Sequence, residues 1–126
     1  MDLTPLVPAG RQIIESYGDL RFRVTGTLHQ GSILVLPDRT EIWPVATIDG
    51  LTAENLAGVR AAAASGAVDL LLIGCGLRMT LIPKDLRASL RAAGVVIEAM
   101  DTGAACRTYN VLAAEGRRVA AALIAV

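Results

Sequence analysis

Three short apolar runs in the last two thirds of the chain constrain its fold more than any other feature. They are Val68–Ile73, Val95–Met100 and Val119–Val126. Continuous apolar runs of this length are typical of β-strands covered on both faces. They are too short for a membrane-spanning helix, which needs a much longer apolar segment. The intervening segments are long enough for helices. An alternation of strand and helix predicts a parallel or mixed sheet with helices packed against it.

Cap and turn residues indicate where those helices begin and end. The predicted helices run from Thr52 to Ser65, from Pro83 up to Gly94, and from Ala104 to Glu115. A glycine follows each of them, at positions 66, 94 and 116. Glycine is favoured just past a helix because it adopts the left-handed backbone conformation without a steric cost.

The first third of the chain has a different pattern, with short β-type segments between turn residues. The segments are Gln12–Tyr17, Leu20–Thr25, Ser32–Leu36 and the extended piece Glu41–Val45. In the second of them apolar and polar residues alternate, which predicts an antiparallel ribbon with one buried face. These hairpins either extend the main sheet or form a second, smaller one. We therefore expect one α/β domain over residues 1–126.

The composition is that of a globular domain and excludes several classes of function. Apolar residues make up 53% of the 126 positions, and 12 basic residues balance 12 acidic ones. A neutral domain lacks the basic surface that nucleic acid or an anionic membrane attracts. The sequence has no pattern of a signal peptide and no apolar run of roughly 20 residues. We expect a soluble cytoplasmic protein with reduced thiols, no nucleic-acid partner and no membrane insertion.

Two loops follow the predicted strands that end at Ile73 and Met100. In open α/β sheets, ligands bind beyond such strand ends, where the strand order reverses. The second loop opens a helix, whose free N–H groups attract anions. The candidate pocket residues in these loops are Gly74, Cys75, Gly76, Arg78, Asp101, Thr102, Cys106 and Arg107. The alternative is that the glycines only turn the chain and that Asp101 or Thr102 only caps the helix.

Other chemistry-bearing residues give weaker indications. Cys75 and Cys106 each follow one of two strands predicted to be neighbours, so they are candidates for a redox pair; the alternative is two inert buried thiols. His29 is the only histidine and is predicted in an exposed turn, so neither a zinc site nor a histidine-dependent triad is indicated. The loops lack the nucleotide-binding glycine pattern and a P-loop lysine. We predict no catalytic residues, metal or cofactor.

Three further residues have two interpretations each. Tyr109 and Asn110 are 100° apart on the predicted third helix, so they cannot both face the core. Either one of them reaches a loop or a ligand, which makes Tyr109 a pocket candidate, or they bond to neighbouring backbone and hold the helix in place. Trp43 is predicted as a core anchor, and an exposed Trp43 would instead suggest a protein contact.

Several strings resemble a small uncharacterised α/β family that includes the mitochondrial complex I assembly factor 3 and the adipogenesis-associated domain protein. The most specific lie between Glu98 and Leu123 and comprise Met-Asp-Thr, Thr-Tyr-Asn-Val-Leu and Glu-Gly-Arg. The resemblance extends through Gly31–Pro37, Trp43 and Leu71–Gly76. Where relatives often carry Gly-Thr-Gly, this chain has Cys75 between two glycines, which weighs against a general redox role for that thiol.

The resemblance implies a three-layer fold, in which a central mixed sheet has helices on one side and a helix plus a small sheet on the other. It also implies that no enzyme activity is established for the family. The mitochondrial relative acts through protein contacts in complex I assembly, and some bacterial relatives are linked with protein export. Our leading hypothesis is a non-catalytic binding or assembly module with a protein partner and with self-association left open. The alternative is a small-molecule or anion-binding protein or enzyme that uses Arg78, Asp101, Thr102, Arg107 and Tyr109.

Overall fold

Apolar residues at alternating positions build two sheets in the part of the chain that the structure describes, residues 10–126 of a computed structural model. The strands there are β1 (Ile14–Gly18), β2 (Arg21–Val24), β3 (Thr27–Gln30), β4 (Ile33–Val35), β5 (Thr40–Ile42), β6 (Leu70–Gly74), β7 (Val96–Met100) and β8 (Val119–Leu123). The α-helices are α1 (Ala57–Ala64), α2 (Lys84–Ala92) and α3 (Thr102–Ala114). Short 3-10 turns at Ile48–Gly50 and Glu54–Leu56 precede α1.

The larger sheet has five strands in the order β5-β4-β8-β6-β7. β6 lies parallel to both β7 and β8, whereas β4 runs antiparallel to β8 and to β5. The three apolar runs of the sequence thus form the parallel part of a mixed sheet, as predicted. Its register places Gly74 opposite both Met100 and Leu123.

Both faces of the central strands β4, β8 and β6 are covered, and successive strand residues point to opposite sides. Leu71 and Ile73 belong to a buried cluster with α1, α2 and Trp43. Leu72 belongs to a second cluster with α3 and with Phe22 of the small sheet. The result is the three-layer arrangement that the family resemblance implies.

The N-terminal hairpins form the second sheet, of three antiparallel strands in the order β1-β2-β3. The sequence pattern missed β3, because Thr27–Gln30 has no apolar face and is mostly exposed. His29 lies on this strand opposite Phe22 and is half-buried. The prediction of an exposed turn histidine is therefore wrong.

The helix ends follow the predicted cap chemistry with three corrections, of which the first is that α1 begins at Ala57 instead of Thr52. Asn55 N donates to Thr52 Oγ1 over 3.2 Å and Thr52 N donates to Asn55 Oδ1 over 3.1 Å, which is a reciprocal N-terminal cap. The chain then makes a 3-10 turn before α1 begins. Pro83 lies just outside α2, since its ψ of 135° is extended, and α3 begins at Thr102 instead of Ala104.

Candidate functional site

The loops after β6 and β7 meet in space, and their polar groups bond to each other. Thr102 N donates to Gly76 O over 2.8 Å, and Gly76 N donates to Thr102 Oγ1 over 3.0 Å. The same hydroxyl donates to Ile124 O, just past β8, over 2.8 Å. Thr102 is fully buried. Its side chain therefore links the carboxyl ends of all three parallel strands.

Gly74 lets these strand ends approach closely. A Cβ atom at this position would lie 2.9 Å from Thr102 Cα and 3.0 Å from Leu123 Cδ2, distances that packed atoms do not tolerate. Asp101 begins α3 as its N-cap, with Oδ1 accepting from Ala104 N over 2.9 Å. Asp101 thus caps the helix, as the capping alternative describes, whereas the Thr102 hydroxyl bonds to Gly76 and Ile124.

The two cysteines lie on opposite faces of the five-stranded sheet. Cys75 belongs to the cluster on the α2 side, with its Sγ atom 3.6 Å from Thr80 O. Cys106 belongs to the cluster on the α3 side, where burial raises the pKa of its thiol to about 12. The two thiols therefore do not meet as the redox-pair interpretation requires. The arrangement corresponds to the alternative of two separate buried thiols.

The remaining predicted pocket residues also separate. Arg78 is exposed on the loop after β6, whereas the exposed Arg107 on α3 has its Nη1 3.4 Å from Tyr17 Oη of the small sheet. Tyr109 is fully buried, and its hydroxyl has no hydrogen-bond partner within residues 10–126. A ligand site that uses these side chains stays a prediction.

Asn110 holds α3 against the small sheet. Its Oδ1 accepts from Ile14 N over 2.9 Å, and its Nδ2 donates to Ile14 O over 2.7 Å. The side-chain amide thus satisfies the backbone of β1 as a neighbouring strand does. Asn110 therefore bonds to neighbouring backbone, as the second interpretation describes, whereas Tyr109 is buried in the core and its hydroxyl forms no such bond within residues 10–126.

An open groove lies beside the predicted loops, along the carboxyl ends of β6 and β8. It consists of two adjoining cavities of about 470 and 410 Å³ that share Leu20, Ala46 and Ala125, and we call it the Leu20 groove. The first cavity is also lined by Thr47, Ile48, Asp49, Cys75, Leu77 and Thr80. The second is also lined by Gln30, Ser32, Ile42, Trp43, Pro44 and Val45. Cys75 and Gly76 are the predicted loop residues that reach it.

Large apolar side chains border this groove and face solvent. Leu20 is 61% exposed, Ile42 77% and Leu77 85%. Two further residues of the loop after β6, Met79 and Leu81, are also exposed. A contiguous apolar rim of this kind is typical of a surface that contacts another protein.

Leu20 occupies this rim in a strained backbone conformation. Its φ of 59° and the φ of 53° at Asp19 place both residues in the left-handed region. That geometry suits the turn between β1 and β2 but favours glycine, because a side chain at Cβ is crowded there. Leu20 N donates to Val126 O over 2.7 Å, and Leu20 O accepts from Gly31 N over 2.8 Å. An exposed leucine held in a glycine conformation suggests a functional constraint on its side chain.

We expect a Leu20→Gly variant to keep its free energy of unfolding or to gain up to about 1 kcal/mol, because glycine removes the left-handed strain. Leu28→Gly is the matched control, since Leu28 is 48% exposed on β3. That substitution lacks any strain to relieve and is expected to cost about 0.5–1 kcal/mol. Urea unfolding of both variants gives the comparison. A loss of more than about 1 kcal/mol in Leu20→Gly would show that Leu20 serves packing.

Comparison with known proteins identifies the family. A family model described as a protein of unknown function (DUF498/DUF598) matches residues 14–124. The chain belongs to the DUF498/DUF598 family. A protein from Bartonella henselae, described as an outer membrane protein, has a crystal structure similar to this one. The TM-score is 0.85 at 37% identity, covering 93% of this chain and 97% of the other.

One of two relatives similar to this chain has a named role. An uncharacterized protein of Rhodobacter capsulatus is 43% identical over 92% of this chain and 86% of its own length. The NADH dehydrogenase (ubiquinone) 1 alpha subcomplex assembly factor 3 of Xenopus tropicalis is 32% identical over 88% of this chain and 60% of its own length. The chain thus spans about three fifths of the assembly factor. The family resemblance seen in the sequence is confirmed.

Little in the sequence indicated the Leu20 groove. The sequence pattern places Leu20 at the start of a strand, whereas the structure places it in the turn between β1 and β2. The signal that was available is a leucine directly after Gly-Asp, where a tight hairpin favours glycine.

In residues 10–126 no helix combines the length and apolar character that crossing a membrane requires.

Proposed function

We propose that this chain is a non-catalytic protein-binding module that assists assembly of a respiratory NADH dehydrogenase from the cytoplasmic side. The observation that carries the proposal is the contiguous apolar rim of Leu20, Ile42 and Leu77 around an open groove. Burying such side chains against a partner is favourable by roughly 25 cal/mol per Å² of apolar surface. The similarity to the Xenopus assembly factor supports NADH dehydrogenase subunits as the partners.

The internal bonding of the strand ends also favours a contact surface over an anion pocket. Thr102 bonds to Gly76 and Ile124, and Asp101 bonds to the start of α3. The groove lies next to them, at the carboxyl ends of β6 and β8, and includes Cys75. A partner that docks there contacts the apolar side chains and leaves the bonded strand ends intact.

Tagged protein expressed at its natural level is expected to recover NADH dehydrogenase subunits or assembly intermediates from native extract at physiological salt. A Leu77→Ser, Ile42→Ser double variant is expected to lose most of that recovery, because it removes two exposed apolar side chains from the rim. Val111→Ser is the control, since Val111 is also exposed but lies on α3. Quantitative mass spectrometry measures the recovery.

Two results would overturn the proposal. One is equal recovery of these subunits by the tagged protein and by a tag-only control. The other is normal assembly of NADH dehydrogenase in a strain that lacks the gene, measured on native gels. Selective recovery of protein-export components would point instead to the export role that the family resemblance also suggests.

A further inference from the structure

We infer that the Leu20 groove binds a partner segment that carries apolar side chains together with a lysine or arginine. The inference rests on the proposed protein-binding function and specifies the chemistry of the partner. The second cavity is lined by Ile42, Trp43, Pro44 and Val45 around a few uncharged polar groups, which suits an apolar side chain. The first cavity differs in that its lining includes a charged side chain.

Asp49 is the charged side chain among the described residues that line the two cavities. It forms none of the ion pairs found in residues 10–126. When an apolar partner covers the groove, the Asp49 carboxylate loses water, and an unpaired buried carboxylate is strongly unfavourable. A partner that places a cation beside Asp49 avoids this cost. The lining therefore favours a partner segment that has a basic residue among its apolar residues.

The same carboxylate disfavours a second copy of this chain as the occupant. A twofold dimer presents the same surface on both subunits. Two Leu20 grooves facing each other would bring two Asp49 carboxylates into one interface with no cation from either lining. Like charges in an interface oppose association. We therefore assign the groove to a different protein.

A random dodecapeptide library displayed on phage tests the assignment. It is selected on the wild-type protein and depleted on Leu20→Gly, which removes the side chain shared by both cavities. The selected peptides are expected to combine at least two large apolar residues with a lysine or arginine. Trp43, the only tryptophan of the chain, lines the second cavity, so its fluorescence reports binding of tryptophan-free peptides. Val111→Ser should bind these peptides as the wild type does.

A charge exchange then tests the role of Asp49. The Asp49→Lys variant is expected to bind a selected basic peptide at least about threefold more weakly, and a peptide with glutamate in place of its basic residue should reverse that preference. Glu115→Lys, an equal change of charge at the exposed end of α3, should leave both affinities unchanged. Selected peptides without a basic residue, or a library that depletion on Leu20→Gly leaves without binders, would overturn the inference. So would a wild-type dimer in sedimentation that Leu20→Gly dissociates.

The result separates this inference from the proposed function. If Leu20→Gly still recovers NADH dehydrogenase subunits at the wild-type level, the assembly role stands and the groove assignment fails. If the selected peptides and the charge exchange behave as expected but no such subunit is recovered, the groove assignment stands and the partner is a different protein.

Discussion

A Thr102→Val variant is expected to lose about 2–5 kcal/mol of its free energy of unfolding. Valine has nearly the shape of threonine, so the change removes the hydroxyl and leaves the packing in place. Gly76 N–H then lacks its acceptor and Ile124 C=O its donor, at a position where both residues are buried. Leaving a buried polar group without a partner costs about 1–3 kcal/mol.

Urea unfolding of three variants checks this expectation. Thr102→Ser keeps the hydroxyl and should retain most of the stability that valine loses. Thr108→Val, at a half-buried position on the same helix, should change the unfolding free energy by less than about 1 kcal/mol. Equal losses in the serine and valine variants would mean that the methyl group matters and the bridging hydroxyl does not.

Stability is expected to fall by several kcal/mol as the pH rises from about 9 to about 12. Burial raises the pKa of Cys106 from 9.0, and that of Tyr109 from 10.0, to about 12 in each case. Both groups are neutral when protonated, so the folded state holds their protons more tightly than the unfolded state does. The stability they provide is complete below their ordinary pKa values and is lost as the pH approaches 12. Each tenfold difference in proton affinity between the folded and unfolded states corresponds to about 1.4 kcal/mol.

Unfolding free energies measured in urea between about pH 8 and about pH 11 test this expectation. Cys106→Ala should flatten the dependence that begins near pH 9, and Tyr109→Phe should flatten its upper part. The matched control is Cys75→Ala, which keeps Cys106 in place and should preserve the decline. The slopes are compared, because each substitution also changes the stability at neutral pH. An unchanged slope in Cys106→Ala would contradict the assignment of the alkaline loss to this thiol.

Strands with strong apolar runs were predictable, and a weakly patterned one was not. Val68–Ile73 and Val95–Met100 coincide with β6 and β7 to within two residues, since β6 is buried on both faces and the edge strand β7 buries Ile97 on one face. β3 has no such signal, since Thr27–Gln30 pairs with β2 through its backbone and presents mostly exposed side chains. Helix ends were predictable to within a few residues from their caps and glycines.

The candidate site was less predictable, because the sequence does not reveal strand order. β7 lies on one side of β6, and β8 lies on the other. The chain therefore crosses the sheet in one direction from β6 to β7 and in the opposite direction from β7 to β8. Crossovers are right-handed, which places α2 and α3 on opposite faces. Cys75 and Cys106 therefore separate although both follow neighbouring strands. The Leu20 groove combines residues distant in sequence, and the leucine directly after Gly18-Asp19 is the one local signal of it.

The position of β8 has a consequence for how this protein is made. Residues Val119–Leu123 pair with β4 on one side and with β6 on the other, so a strand that is synthesised after β1–β7 lies inside the sheet. On the ribosome, β1–β3 can pair early. The strand that lies between β4 and β6 is missing until β8 leaves the exit tunnel, so each of them has one unpaired edge. Their unpaired edges are then open to aggregation or to chaperones. A ribosome that stalls before position 119 thus leaves these edges exposed.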